Sequence, residues 1–276
     1  MRVHPDNLTH ATPRQQQTIQ VVSDGWAEYE LLDAGHRRKL ERLGPYVMIR
    51  EETKAWWEPA LSDREWQQAV AIHAGEEQGR WDFRNSVPRE WQVRFENLTL
   101  QARFTATSKH VGVFPEQAAH WHWIAAQLQQ AQGRERRVLN LFGYTGIASL
   151  VAAAQGSRVT HVDAAKGVVS WARHNQQLSG LEDAPIRWIV DDVSKFVKRE
   201  IRRNRQYEAI LLDPPSFGRG PKREVWKIEQ HLVDLLADCR KLLSDAPLFV
   251  ILTMYSIDQS AILIGNLLQD MMHGAG

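Results

Sequence analysis

The chain has 276 residues, 43% of them hydrophobic, with 34 Lys+Arg against 33 Asp+Glu. At roughly 150 residues per domain this length allows one large domain or two small ones, and a formal net charge of +1 excludes a global field that announces a polyanionic partner. No apolar run approaches the roughly 20 residues of a membrane span, the first residues lack the apolar core of a signal peptide, and a lone cysteine, Cys239, excludes an intrachain disulfide and a cysteine-rich zinc site while fitting a reducing cytoplasm.

Residues 1–20 are polar, with Gln15, Gln16 and Gln17 in a row, and are expected to be partly disordered. Residues 26–32 and 46–50 read as strands, with Gly44-Pro45 as a turn between them. Residues 62–77 read as a helix or a loose connection. Residues 91–104 alternate apolar and polar side chains about a turn at Glu96-Asn97, which predicts a hairpin. Residues 21–105 are therefore expected to form a small antiparallel β domain. Six of the 11 tryptophans precede residue 100. Their simplest role is as core and interface anchors, although one or two could instead stack on bases.

From residue 109 the pattern changes. Apolar strands are predicted at 137–142, 158–163, 186–190, 207–213 and 248–254, separated by helices at 147–155, 166–179, 193–204, 224–243 and 258–272. This alternation predicts an α/β, Rossmann-like domain over 109–276 with a mostly parallel, doubly wound sheet. Ligands of such sheets bind beyond the carboxyl ends of the strands, so chemistry is expected there.

The first strand runs into Phe142-Gly143-Tyr144-Thr145-Gly146, whose glycines allow a tight turn and close approach of a ligand to helix-start amides. The second ends at Asp163, suited to accept two ribose hydroxyls or to cap the next helix. The third ends at Asp191-Asp192, one of which is expected to cap a helix or face an adenine amino group. The fourth ends at Asp213-Pro214-Pro215-Ser216-Phe217, where two prolines stiffen the backbone and a carboxylate, a carbonyl and an aromatic ring suit a planar acceptor.

These signals on successive strands resemble class I S-adenosylmethionine-dependent methyltransferases. The resemblance rests on Asn140-Leu-Phe-Gly-Tyr-Thr-Gly146, His161-Val-Asp163, Asp192 and Asp213-Pro-Pro-Ser-Phe217, and is similar in form to the branch of bacterial large-subunit ribosomal RNA base methyltransferases and their relatives. Val111-Gly-Val-Phe-Pro-Glu-Gln117 resembles that branch too, and residues 29–46 resemble the β domain of the relatives. The resemblance implies S-adenosylmethionine as cofactor and no metal. Asn140, Phe142, Gly143, Tyr144, Thr145 and Gly146 would then wrap the methionine part, with Phe114 and Gln117 closing the site. Asp163 and Ala164 would hold the ribose, and Asp192 and Val193 would face the adenine. Asp213 would lie beside the sulfonium, with Pro214 and Phe217 shaping the base pocket.

Two departures bear on the chemistry. No cysteine follows the fifth strand in Leu252-Thr-Met-Tyr-Ser256, and Cys239 lies on an apolar helix face, so cysteine-dependent carbon methylation is disfavoured against a nitrogen or hydroxyl acceptor. The strand pair that normally closes the class is also missing after the last helix, implying a truncated chain or a bare edge open to homodimerisation. A nicotinamide-dependent oxidoreductase would require Gly-x-Gly-x-x-Gly, and residues 142–147 offer only Gly-x-x-Gly. The same strand-end signals would also serve methylation of a protein or small molecule, or survive in a degenerate relative that binds RNA without catalysis. RNA is the expected partner, because Arg219, Lys222, Arg223 and Lys227 follow the base pocket directly, and the resemblance implies ribosomal RNA first. The run of residues 198–205, with five basic residues and one acid, reads as a solvated helix face.

Overall fold

The computed structural model describes residues 19–273 except 24, 76–78, 85, 107 and 256–258. The disorder expected over residues 1–20 falls outside the described residues but for its last two. The first half builds a five-stranded sheet from β1 (Tyr29–Gly35), β2 (Arg38–Leu43), β3 (Tyr46–Glu51), β4 (Ala71–His73) and β5 (Trp81–Phe83), in that spatial order. Neighbours run antiparallel except β3 with β4. Between those two strands lies the one-turn helix α1 (Asp63–Trp66), started by Ser62, whose amide donates to Glu65 Oε2 at 2.8 Å.

Strand β2 was not expected, and its register explains why. Glu41, a carboxylate, takes a buried position at 1% exposure. It is held there by Arg50 of β3, which donates from Nε and Nη2 at 2.7 and 2.8 Å, and by the Tyr29 hydroxyl at 3.0 Å. A buried charge paired in this way breaks the apolar alternation by which strands are read. The third donor of Arg50, Nη1, reaches the Lys109 carbonyl at 3.3 Å and so ties this sheet to the segment leading into the second half.

The expected hairpin is present as β6 (Glu90–Phe95) and β7 (Leu98–Arg103), with Glu96 in the left-handed region at φ 49°. The second half follows as α2 (Ala118–Gln130), β8 (Arg137–Leu141), α3 (Ile147–Ala154), β9 (Arg158–Asp163), α4 (Lys166–Leu178), β10 (Ile186–Val190), α5 (Val193–Arg202) and β11 (Ala209–Leu212). It continues through β12 (Phe217–Arg219), β13 (Val225–Lys227), α6 (Ile228–Leu242), β14 (Phe249–Leu252) and α7 (Ala261–Met272). The large sheet is wholly parallel in the order β10-β9-β8-β11-β14, so the chain reverses direction across the sheet between β8 and β11.

Helix α2, not read from the sequence, buries Trp121, Ile124 and Leu128 before the first strand of this sheet. The helix expected from residue 224 begins instead at Ile228. Residues 217–227 form an antiparallel ribbon whose turn includes Pro221 and bonds from Gly220 N to Glu224 O at 2.8 Å and Arg223 N to Gly220 O at 3.0 Å. Trp226 pins that ribbon, because its indole N–H donates to the Pro215 carbonyl at 2.7 Å while its ring lies 4.9 Å from Phe142.

Hairpin β6–β7 packs on α4 rather than extending the first sheet. Thr99 N donates to Ser179 Oγ, Gln101 N to Asn175 Oδ1, and Trp171 Nε1 to the Gln101 carbonyl. One apolar cluster consequently runs from Trp26 and Met48 through Trp91, Phe95 and Leu100 to Trp121, Leu150 and Val159. Of the six early tryptophans, Trp26, Trp66, Trp81 and Trp91 are buried, as expected of anchors, and Trp56 and Trp57 are not. Cys239 is fully buried on α6, also as expected. No described helix is long and apolar enough to cross a membrane.

Glu41 supplies a test of the first sheet. Burial alone raises its carboxyl, but Arg50, Lys39 and the Tyr29 hydroxyl outweigh burial and hold it down to about 2. Its folded value lies below the unfolded value of 4.5, so its contribution to stability is complete above pH 4.5 and is lost as the pH falls toward 2. Glu41→Gln strands the buried guanidinium and is expected to cost about 3–5 kcal/mol at neutral pH. Denaturant unfolding of both proteins across this pH range checks it, with the gap between them narrowing in acid.

Candidate functional site

The site forms where β8 and β11 end side by side, at the reversal of the sheet. The loop of residues 142–146 is forced into its shape from below. A Cβ on Gly143 would collide with the His161 ring, and one on Gly146 would come 2.8 Å from Ala172 Cβ. Gly146 also adopts φ 85°, which glycine alone takes without strain, while Phe142 and Tyr144 hold positive φ values of 57° and 50°. Beneath the loop, Ser149 Oγ accepts from Asn140 Nδ2 at 2.9 Å and lies 3.0 Å from His161 Nδ1. Burial pushes the His161 imidazole down to about 3, so it is neutral and acts as a packed polar strut. Asn140 thus contributes to the wall while its amide supports the loop from behind. His161 and Ser149 were not selected from the sequence as site residues; a histidine inside an otherwise apolar strand was the available signal.

The loop is then tied to the next strand. Asp163 at the end of β9 accepts from Tyr144 N through Oδ2 at 3.0 Å and from Ala165 N through Oδ1 at 2.9 Å. Burial raises its pKa against the opposing pull of those amides. Asp163 is not the cap of α4, whose N-cap is Ala165 without a side-chain cap bond, and each of its oxygens retains a further lone pair for a ligand. Asp192 caps α5, its Oδ1 accepting from Lys195 N at 2.9 Å, while Asp191 pairs with Arg199.

Two adjoining cavities result. The first is lined by Phe114, Gln117, Asn140, Phe142, Gly143, Tyr144, Thr145 and Asp213, among others. Thr145 is locked there by donating from Oγ1 to the Gly112 carbonyl at 2.6 Å. Asp163, Ala164, Asp192 and Val193 line the second, together with Phe114, Phe142, Tyr144 and again Asp213. Gly146, Pro214 and Phe217 line neither. Gly146 instead accommodates α4 and Trp188, and Pro214 is buried behind the loop. Phe217 is 52% exposed on the outer face of the ribbon, and Gly218, Arg219 and Trp226 occupy the wall beside it. Tyr255, which the sequence offered just after the fifth strand, also lines the second cavity, its ring 6.0 Å from that of Phe114.

Asp213 is the acid common to both cavities. Its Oδ1 is buried without a hydrogen-bond partner. Burial, with a smaller contribution from the Glu116 charge, pushes its pKa up to about 7. No cluster of three or more metal-ligating side chains occurs among the described residues. The arrangement is a long, aromatic-rimmed cleft with acids at three strand ends, suited to an elongated ligand with several hydroxyl and amino groups.

Comparison with known proteins gives concordant results. Residues 68–258 match the family model described as S-adenosylmethionine-dependent methyltransferase. A solved methyltransferase from Agrobacterium tumefaciens is 48% identical with a TM-score of 0.88, over 91% of this chain and 80% of that one. One from Streptococcus mutans shares the fold at 17% identity and a TM-score of 0.71, over 90% of this chain and 66% of that one. "Ribosomal RNA large subunit methyltransferase K/L" of Shewanella baltica is 36% identical over 125 residues, 45% of this chain and 17% of the relative. The protein of the same name from Hahella chejuensis is 36% identical over 135 residues, 48% of this chain and 18% of the relative. The chain thus spans less than a fifth of the length of these curated relatives.

The raised proton affinity of Asp213 is measurable in the ligand-free protein. Its folded pKa of about 7 exceeds its ordinary 3.8, so its contribution favours the fold fully below pH 3.8 and is lost as the pH rises through 7. Wild type should therefore lose stability relative to Asp213→Asn between about pH 4 and 7, with no further change above. Denaturant titrations at fixed pH values test this; a pH-independent difference would show that the carboxyl ionises normally.

Proposed function

The chain belongs to the S-adenosylmethionine-dependent methyltransferase family, and from that premise we propose that it methylates a base of RNA, ribosomal RNA first, at the Asp213 loop. The observation that carries this reading is the partnerless buried oxygen of Asp213, on a proline-stiffened loop where the two cavities meet. A buried acceptor without a donor is costly, and a ligand that donates to it relieves the cost.

The residues fit the family's cofactor. Gly143 and Gly146 seat the loop against His161 and α4, and Gly143, Tyr144 and Thr145 with Phe114, Gln117 and Asn140 line the cavity that would hold its methionine part. Asp163 would use its remaining lone pairs for the ribose hydroxyls, and Ala164, Asp192 and Val193 would border the adenine. The cofactor supplies a methyl group on a positively charged sulfur, already an activated leaving group, so the protein's task is mainly positioning. Asp213 would take a hydrogen bond, or the proton itself, from a base nitrogen, a role that its raised proton affinity suits. Cysteine-assisted carbon chemistry is disfavoured, because the Cys239 thiol is fully buried and burial pushes its pKa far up.

RNA as the acceptor is supported by the names of the relatives and by the ribbon beside the loop. Arg219, Lys222, Arg223 and Lys227 lie on it without an ion-pair partner among the described residues, and Phe217 is exposed with them. By contrast, within the basic run on α5, Arg199 pairs with Asp191 and Arg203 with Glu200. The reading places the protein in the cytoplasm, with residues 21–105 docking substrate.

Asp163→Ala is expected to weaken S-adenosylmethionine binding by more than tenfold in calorimetry, since charge-assisted hydrogen bonds contribute about 1.5–3 kcal/mol. Asp213→Ala should spare most of that affinity and cut turnover at least a hundredfold. Mass spectrometry of ribosomal RNA from cells with and without the gene should reveal one methylated nucleoside restored by wild type and not by Asp213→Ala. An unchanged nucleoside inventory, with cofactor binding intact, would rule out ribosomal RNA.

A further inference from the structure

The loop of residues 52–59 presents two tryptophans to solvent, Trp56 at 77% and Trp57 at 58% exposure. Large aromatic side chains are normally placed where they exclude water, and the other four early tryptophans obey that rule. This display is built rather than loose. Each indole turns its N–H inward, Trp56 to the Thr53 carbonyl at 2.8 Å and Trp57 to the Ala34 carbonyl at 2.7 Å. The polar edges are thereby satisfied within the protein. The loop backbone is clamped to the β1–β2 turn by His36 N to Trp57 O at 2.9 Å, Arg37 N to Ala55 O at 2.7 Å and Glu52 N to Arg37 O at 2.9 Å. Gly35 allows the clamp, since a Cβ there would come 2.8 Å from the Trp57 carbonyl.

The surroundings are polar and carry charges of both signs. Arg37 lies over the Trp56 ring at 5.9 Å and forms no ion pair among the described residues, while Arg38 lies over the buried Trp66 at 5.3 Å. The acid Glu58 is engaged by His36 at 2.6 Å. A protein-binding hot spot is instead ringed by groups that exclude water. Exposed rings held rigid, one of them under a guanidinium, match the way single-stranded nucleic acids are bound, by stacking on any base with a cation at hand for its phosphates.

The patch is also connected to the site. Thr53 and Lys54, next to Trp56, line a groove with Lys109, Phe114, Pro215 and Tyr255. Phe114, Pro215 and Tyr255 in turn border the cavity of Asp163 and Asp213. We propose that Trp56 and Trp57, with Arg37, form a stacking platform for single-stranded RNA flanking the base held at Asp213. The inference rests on the RNA reading and adds to it a second, remote contact through which the first sheet selects unpaired RNA.

The test uses the full chain and a fluorescently labelled, mixed-sequence single-stranded RNA of about 12 nucleotides, within the span of known single-strand sites. Anisotropy should show roughly tenfold weaker binding for Trp56→Ala, and a larger loss for the double variant with Trp57→Ala, in line with the contribution of base stacking. Binding to a duplex of the same length should change little. Trp56→Phe should recover most of the single-strand affinity, as loss of a merely structural contact would not predict. Melting temperature and S-adenosylmethionine affinity should match wild type. A folded double variant that binds single strands as wild type does would overturn the platform, leave the RNA reading standing and assign the patch to a protein partner. A wild type that binds the cofactor but neither RNA would overturn both.

Discussion

The close contact between Gly143 and the His161 ring is the constraint on which the site depends. It allows the chain leaving β8 no side chain at that point and therefore fixes the height of the loop above β9. Once that height is fixed, Tyr144 N meets the Asp163 carboxylate, Thr145 reaches the Gly112 carbonyl, and Gly146 admits α4. The neutral state of His161 completes the arrangement, because a protonated imidazole so deeply buried would have to find a counter-ion or move. The walls of both cavities are thus consequences of one steric fit between a glycine in the loop after β8 and a histidine on the adjacent strand β9.

A second constraint operates at the other side of the cleft. Trp226 binds the Pro215 carbonyl and packs at a tilt against Phe142, so the proline loop and the glycine loop share one aromatic prop. That prop leaves Asp213 with little freedom and its Oδ1 without a protein donor. A stiff loop whose carboxylate lacks a partner keeps its geometry before any ligand arrives, which is what catalysis by positioning requires.

The parallel sheet was legible because its strands are short apolar runs bounded by glycine, proline or acid, and the strands of 158–163 and 186–190 fall where expected. Most of the site was legible for the same reason, since ligand-facing residues lie at strand ends. Other parts were hidden, α2 among them. Strand β2 was masked by Glu41, whose buried partner Arg50 is supplied by the neighbouring strand β3 only once the two pair. The ribbon was hidden because its Trp226 anchor and the apolar positions of α6 run together into one apparent helical pattern. The outward face of Phe217 followed from that ribbon register, in which Gly218 and Trp226 take the inner side. The polar strut of Asn140, Ser149 and His161 was invisible because each is ordinary alone and only the fold brings them together.

The continuous apolar cluster from Trp26 to Val159 bears on how the chain comes apart. Hairpin β6–β7 gives one face to the tryptophans of the first half and hydrogen-bonds α4 with its edge, so neither half owns it. Cutting the chain at residue 105 would expose that shared face on both fragments. The two halves are therefore coupled in unfolding as one cooperative unit, and strain introduced at the first sheet is transmitted to the helix that flanks the glycine loop. Evolutionary exchange of the first sheet for another module would have to preserve the hairpin, which makes the seam for recombination lie before residue 90 rather than at the change of sequence pattern near 105.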